Sequence, residues 1–379
     1  MSKTISEINK ENRKMDKLKV AVMGCTGLVG QQFIRMLNNH PFFKVQALSS
    51  SARSAGKKYG ESLSWAAGGE IPEAIREMEI LETSVESILK AEAKIIFSAV
   101  PTSLAENIES ILRGHGLFIF SNASAHRLDE DVPILIPDVN SDHLEIVRSQ
   151  LSRAKGFIIT NSNCSTSGLV MVLKPLESFG IKSVSVTTFQ SISGAGRRGL
   201  SAMDIAANII PFIKNEEEKM ERESKKILGK FEGSRIVERD FELNTSCCRV
   251  PVREGHLMSV VIELEEDVDV RTVENALSLF RGIPQEMKLP TAPEFPLVVR
   301  HEEDRPQPVL DVYAGSPERA RGMAVTVGRI RKKGRFLNLI LLVHNTIRGA
   351  AGTCILNAEL ALMKSFIHSD TPRDGGGQE

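Results

Sequence analysis

Cys164 sits in the run Asn161-Ser162-Asn163-Cys164-Ser165-Thr166-Ser167, between a β-prone segment at 157–160 and a helical one at 165–176. A thiol at the start of a helix lies near unpaired N–H groups, which favour thiolate, the form that attacks carbonyl carbon. The sequence therefore predicts a nucleophilic cysteine with a lowered thiol pKa. Such a nucleophile needs an acid/base partner, and the turn Arg253-Glu254-Gly255-His256, after Arg249-Val250-Pro251-Val252, offers His256. Cysteine is more often a small buried hydrophobe. That is the reading for Cys354, for the adjacent Cys247 and Cys248, and, as loop packing, for Cys25. His40, His115, His126, His143, His301 and His368 read as surface or packing residues, and His344 as structural.

A second constellation is Gly24-Cys25-Thr26-Gly27-Leu28-Val29-Gly30, which follows a β-prone run and opens a helical one. Glycines there let the backbone approach a pyrophosphate, and the helix start favours its charge. Gly24, Thr26, Gly27, Leu28, Val29 and Gly30 are accordingly expected at a dinucleotide, although the spacing is G-x-x-G-x-x-G and such turns also occur without a cofactor. After the next strand, the segment from Ser49 to Lys58 contains no Asp or Glu to hold a ribose 2′-hydroxyl. Its hydroxyls and cations suit a 2′-phosphate instead. NADP is therefore expected over NAD, with Ser51, Arg53 and Ser54 near the phosphate and Lys57 a further candidate; the plain alternative is a solvated basic loop.

Positioning these residues requires a scaffold. Strand-like runs at 18–23, 43–48, 93–100 and 117–121, separated by helical stretches, imply a Rossmann-type doubly wound parallel sheet. From about residue 156 the pattern changes to strands at 157–160, 183–192, 249–252, 257–264, 324–330 and 336–343, with a charge-rich helical stretch at 202–228. This predicts an α+β domain with a mainly antiparallel sheet. A last helix over 346–367 would return to the first domain. The expected division is a flexible extension at 1–17, an NADP-binding domain at 18–160 and 346–368, a catalytic and dimerisation domain at 161–345, and a disordered tail at 369–379.

Composition narrows the partners. Lysine plus arginine and aspartate plus glutamate stand at 48 each, so no net field draws nucleic acid or an anionic membrane. Apolar runs such as 336–343 are far shorter than the roughly 20 residues a membrane helix needs, and the polar first 17 residues carry no secretory pattern. A cytoplasmic enzyme acting on small molecules is expected. Five cysteines with neither a CxxC pair nor a metal-like spacing imply free thiols and no metal site.

The chain resembles the aspartate-semialdehyde dehydrogenase family, in its archaeal and fungal branch, through GCTGLVG, SARSAGKKYGE, SNCST, FQSISGAG, NEEEKM, RVPVREGH, VGRIR and HNTIRGAAG, in order. The resemblance makes Cys164 the carrier of an acyl thioester and His256 its acid/base. It gives Gln190 a substrate-orienting role, Ser193, Gly194 and Asn345 contacts with the cofactor, and Arg249 the substrate α-carboxylate. Glu216 would bind the amino group; Lys219, Asn163 and Arg113 would bind phosphate. It also implies a homodimer or dimer-based homotetramer. The activity implied is reversible NADP-dependent reductive dephosphorylation of L-4-aspartyl phosphate to L-aspartate 4-semialdehyde, in biosynthesis of lysine, threonine, methionine and isoleucine. Two other readings stand beside it: a malonyl-CoA reductase of the same fold, whose substrate carries no ammonium for Glu216, and a non-catalytic NADP-binding sensor. For residues 216–226 the plain reading is a solvated helix with ion pairs, and Arg197 and Arg198 face either phosphate or solvent.

Overall fold

A computed structural model describes residues 16–367; the expected N-terminal extension lies almost wholly, and the tail entirely, outside them. Six short strands form the first sheet: β1 (Leu18–Met23), β2 (Phe43–Ser50), β3 (Ile80–Glu82), β4 (Ile95–Ser98), β5 (Phe118–Ser121) and β6 (Phe157–Thr160). All pair in parallel, in the order β3-β2-β1-β4-β5-β6. β1, β4 and β6 read as near-continuous apolar runs because parallel strands are covered on both faces. Strand order reverses between β1 and β4, and in such sheets the crevice at the strand C-termini is where ligands sit. The helix α1 (Leu28–Leu37) starts there, as does α2 (Thr102–Gly114).

The second sheet contains β7 (Ile181–Gln190), β10 (Glu242–Arg249), β11 (His256–Leu264), β12 (Leu297–Val299), β13 (Val325–Lys333) and β14 (Phe336–Val343), with β8 (Lys230–Glu232) and β9 (Arg235–Val237) forming a separate hairpin. Its order is β10-β7-β11-β14-β13-β12. The sheet is mainly antiparallel, as expected: β7, β11, β14 and β13 pair antiparallel, while the two edges, β10 on β7 and β12 on β13, are parallel. The reason is connectivity. Long crossovers, one of which contains the helix α4 (Glu216–Ile227), bring the chain back to the end it left, and only a parallel strand can follow.

Alternation along β11 buries His256, Met258, Val260 and Ile262, and the last three pack with Leu337, Leu339 and Leu341 on the helix α3 (Cys164–Leu173). The last helix, α5 (Gly352–Met363), is mostly apolar and is buried to Ala361. It joins the core of the first sheet with Val20, Phe97 and Phe120, entered through a π turn over Ile347–Ala351. Among the described residues no helix is long and apolar enough to cross a membrane.

Candidate active site

The nucleophile loop leaves β6 and is tied down on both sides. Asn161 Nδ2 donates to the carbonyl of Ala350 at 2.9 Å. Asn163 caps α3, its Oδ1 accepting from the N–H groups of Ser165 at 2.9 Å and Thr166 at 3.1 Å, as an N-cap asparagine does. Its own N–H donates to Glu223 Oε2 at 2.5 Å. Of the N–H groups at this helix start, only that of Cys164 is left without a partner among the described residues. Cys164 therefore carries both a thiol and the one donor free to meet a developing oxyanion. The π turn closes behind it: a Cβ on Gly349 would lie 2.7 Å from Cys164 Cβ.

Three strand ends meet the thiol. The β7–β10 register sets Gln190 beside Arg249, and β11 begins at His256, whose Nε2 is 3.2 Å from Cys164 Sγ. His256 Nδ1 accepts from the Ser191 N–H at 3.1 Å and lies 3.2 Å from Ser191 Oγ. A backbone donor at Nδ1 puts the hydrogen of the neutral ring on Nε2, facing sulfur. Arg249 Nη1 donates to the Ser191 carbonyl at 2.8 Å. Asn345 takes the Gly255 N–H at 3.0 Å and donates to Ser193 Oγ at 2.8 Å, linking the two turns that flank the imidazole. Gly194 leaves room for these side chains: a Cβ would come within 2.5 Å of Arg249 Nη1 and 3.3 Å of His256 Nε2.

Burial pushes the Cys164 thiol up to about 12, with the Glu216 carboxylate adding to it and Arg249, Arg127 and the Ser165 N–H opposing. The lowered thiol pKa expected from the helix start is thus reversed, because desolvating thiolate outweighs the few dipoles aimed at it. Burial likewise takes His256 down to about 3, helped by the Arg249 cation. In the ligand-free site the pair is thiol and neutral imidazole.

The helix α4 supplies the third wall. Glu216 Oε1 accepts from Asn163 Nδ2 at 2.8 Å and Gln190 Nε2 at 3.0 Å. Lys219, one turn on, lines the same cleft half-buried and with no ion-pair partner among the described residues. Arg113 does not reach the site. It sits in the last turn of α2, with Nη1 3.8 Å from Asp131, outside the cleft lining. A cation that does line the cleft, and that the sequence reading missed, is Arg127. Its Nη1 donates to Glu223 at 2.8 Å and its Nη2 to the Asn122 carbonyl at 3.0 Å, while its buried Nε has no acceptor. The available signal was position, since Arg127 follows β5 at the strand edge where parallel sheets bind ligands. Thr346 was also missed; it lines the cleft with its buried hydroxyl unpartnered.

The cleft, about 520 Å³, continues to the glycine loop, where Gly27, Leu28 and Val29 line it with Ser193, Gly194 and Asn345. Gly24 and Gly30 shape the turn rather than line it. Gly24 has φ +77°, and a Cβ on Gly30 would lie 2.2 Å from the Gly24 carbonyl oxygen. Thr26 Oγ1 reaches Ser50 Oγ at 2.8 Å. Ser51 and Ser54 form a turn after β2, and Arg53 within it is exposed with no acid paired to it among the described residues. Lys57 is also exposed; Lys58 pairs with Glu77 at 2.6 Å. Arg197 lines the cleft and Arg198 does not. Backbone donors at a helix start, followed by unpaired cations, fit a phosphorylated dinucleotide.

Two family models match: semialdehyde dehydrogenase, NAD binding domain, over residues 19–147, and semialdehyde dehydrogenase, dimerisation domain, over 173–348. An aspartate-semialdehyde dehydrogenase of Archaeoglobus fulgidus is 45% identical over 354 residues, 93% of this chain and 100% of that protein. The chain belongs to the aspartate-semialdehyde dehydrogenase family. Its fold is that of the Candida albicans aspartate-semialdehyde dehydrogenase crystallised with NADP, at a TM-score of 0.83 and 37% identity, covering 93% of this chain and 100% of that one. An NADP-dependent malonyl-CoA reductase of Metallosphaera sedula is also related, at 37% identity over 358 residues, 92% of this chain and 98% of that protein. Cys164 falls between the two matched segments, at the junction of the two sheets.

Proposed function

We propose that this member of the family catalyses the reversible NADP-dependent interconversion of L-aspartate 4-semialdehyde plus phosphate with L-4-aspartyl phosphate, through a thioester on Cys164. The observation that carries the reading is the 3.2 Å contact of Cys164 Sγ with His256 Nε2, in a cleft that also contains Gln190, Arg249, Glu216 and the glycine loop.

In the oxidative direction Cys164 thiolate bonds to the aldehyde carbon. The thiol proton having passed to solvent, the negative oxygen left as the S–C bond forms accepts hydrogen bonds from the Cys164 N–H and from His256 Nε2–H, and the ring keeps its proton as the carbonyl returns. NADP held along the glycine loop would supply the acceptor for the hydride that this carbon loses. Phosphate oxygen next bonds to the thioester carbon, the S–C bond breaks, and Cys164 leaves as thiolate. The proton released overall is the one phosphate carried. Arg249 suits the α-carboxylate, as a planar guanidinium does, and Glu216 the ammonium. Lys219, Arg127 and Asn163 suit phosphate. Ser51, Arg53 and Ser54 suit the 2′-phosphate of NADP. We further assign residues 18–160 and 346–367 to the NADP domain and 161–345 to the catalytic domain. Assembly as a homodimer or dimer-based tetramer in the cytoplasm completes the reading, supported for the dimer by the matched dimerisation domain.

The test is NADPH absorbance with L-aspartate semialdehyde, NADP and phosphate, beside NAD, malonyl-CoA with NADPH, and Cys164→Ser. Phosphate-dependent NADPH formation that needs Cys164 is expected. NADPH consumption with malonyl-CoA alone would move the assignment to the reductase, against the buried acid Glu216. No turnover by folded protein would leave the sensor.

A further inference from the structure

The helix α4 reaches the nucleophile loop twice. Glu216, at its first turn, takes the side-chain N–H of Asn163. Glu223, two turns later and 2% exposed, takes the backbone N–H of the same residue at 2.5 Å with Oε2, and Arg127 Nη1 at 2.8 Å with Oε1. The helix is held in turn by Lys226, whose Nζ donates to the carbonyls of Arg127, Asp129 and Val132, each at 2.8 Å. These carbonyls belong to the loop that carries Arg127, so α4, the Arg127 loop and the Asn163–Cys164 turn form one closed set of charge-assisted bonds.

We propose that Glu223 is a positioning residue for the reaction, fixing the Asn163–Cys164 turn and the Arg127 guanidinium relative to each other. Two consequences follow from the geometry. By taking the Asn163 N–H, Glu223 leaves the Cys164 N–H as the one free donor at the helix start, so that an oxyanion on the carbon bonded to sulfur meets a donor of defined direction. By holding Arg127 Nη1, it fixes the guanidinium that lines the cleft and offsets part of that cation's pull on the thiol. Glu223 itself does not line the cleft; it acts through Asn163 and Arg127. A glutamine would face two donors with one acceptor and one NH₂, so one of the two bonds must be lost. An aspartate keeps the charge but falls one methylene short of spanning both.

The inference rests on Cys164 being the nucleophile, and its test is arranged to separate the two. Wild type, Glu223→Gln and Glu223→Asp are compared as full chains. Two readouts are taken: kcat and KM normalised to Cys164 that iodoacetamide can titrate, and the pH profile of Cys164 alkylation read by peptide mass spectrometry. For Glu223→Gln we expect kcat per titrated thiol to fall about tenfold or more, the range of a hydrogen bond to a charged group, with KM for the aldehyde nearly unchanged. Its alkylation profile is expected to shift to lower pH, because Arg127, which lines the same cleft as Cys164, then stands without its counter-charge. Glu223→Asp is expected to show a smaller loss of kcat and no such shift, and decides the matter should the glutamine variant not fold. Wild-type kcat per titrated thiol and an unmoved profile in the variants would overturn the proposal, including the case where fewer sites are titratable but each turns over normally. If wild type does not turn over aspartate semialdehyde, the substrate assignment fails, while the alkylation profiles still decide whether Glu223 sets the thiol's surroundings.

Discussion

The backbone N–H of Ser191 donates to Nδ1 of His256 at 3.1 Å, so the neutral imidazole presents its hydrogen at Nε2, 3.2 Å from Cys164 Sγ. Ser191 follows Gln190 directly, so the turn that places the amide of Gln190 also sets the protonation geometry of the acid/base. A ring held this way acts first as a donor toward the substrate oxygen. Replacing it by alanine is expected to lower kcat/KM by about 10²–10⁴-fold, the usual weight of general acid–base catalysis. Glutamine, which can place an N–H near the Nε2 position, is expected to recover part of this. Equal rates for His256→Ala and His256→Gln would show that donation from this point is not what the ring contributes.

Thiol reactivity gives a second check. Burial holds the Cys164 thiol high and the His256 imidazolium low, so thiolate in the free protein grows as pH rises and is not stabilised by an imidazolium at neutral pH. Alkylation of Cys164 by iodoacetamide should therefore keep accelerating beyond pH 9 without a neutral-pH plateau. A plateau below pH 8 would mean that a thiolate–imidazolium pair already exists.

These two residues also mark how far the sequence could be read. The parallel class of the first sheet and the glycine loop follow from local patterns, because apolar runs and glycines are punctuated along the chain. Local pattern also placed Cys164 at a helix start. What it could not weigh was the desolvation of that thiol, since the walls come from β7, β10, β11 and α4. Arg113 and Arg127 differ for the same reason: Arg127 is held by Glu223, distant in sequence, whereas Arg113 turns to Asp131. The stretch at 202–228 reads as continuous helix by composition. It contains helices only at Ala202–Ile205 and Glu216–Ile227, with Pro211 between them and Asn215 at φ 60° before the second. β3, three residues long, is too short to show a period at all.

The exchange of Arg113 for Arg127 is itself testable. Arg127→Ala removes a cation from the cleft and leaves Glu223 half-satisfied, and KM for phosphate is expected to rise about tenfold or more, as for loss of a charge-assisted bond. Arg113→Ala loses only a partly exposed 3.8 Å pair with Asp131, worth little, and should leave phosphate kinetics unchanged. Steady-state titration of phosphate at saturating aldehyde reads both. The reverse pattern would return Arg113 to the site.

Gly194 and Gly30 separate two kinds of steric demand. A methyl on Gly194 would meet the end of the Arg249 guanidinium at 2.5 Å and the His256 ring from 3.1 Å. The arginine can yield without unfolding anything, but it then leaves the place proposed for the substrate carboxylate. Gly194→Ala is therefore expected to raise KM for aspartate semialdehyde about tenfold, within the 1–3 kcal/mol range of a displaced polar contact, with the melting temperature nearly unchanged. A methyl on Gly30 would meet the Gly24 carbonyl oxygen at 2.2 Å and Cys25 Cα at 2.7 Å, backbone that cannot move without opening the glycine loop. Gly30→Ala should weaken NADP binding and lower the melting temperature together, as measured by cofactor titration and thermal unfolding. If Gly194→Ala instead loses stability while its KM holds, the cleft is less tightly packed around Arg249 than these distances require.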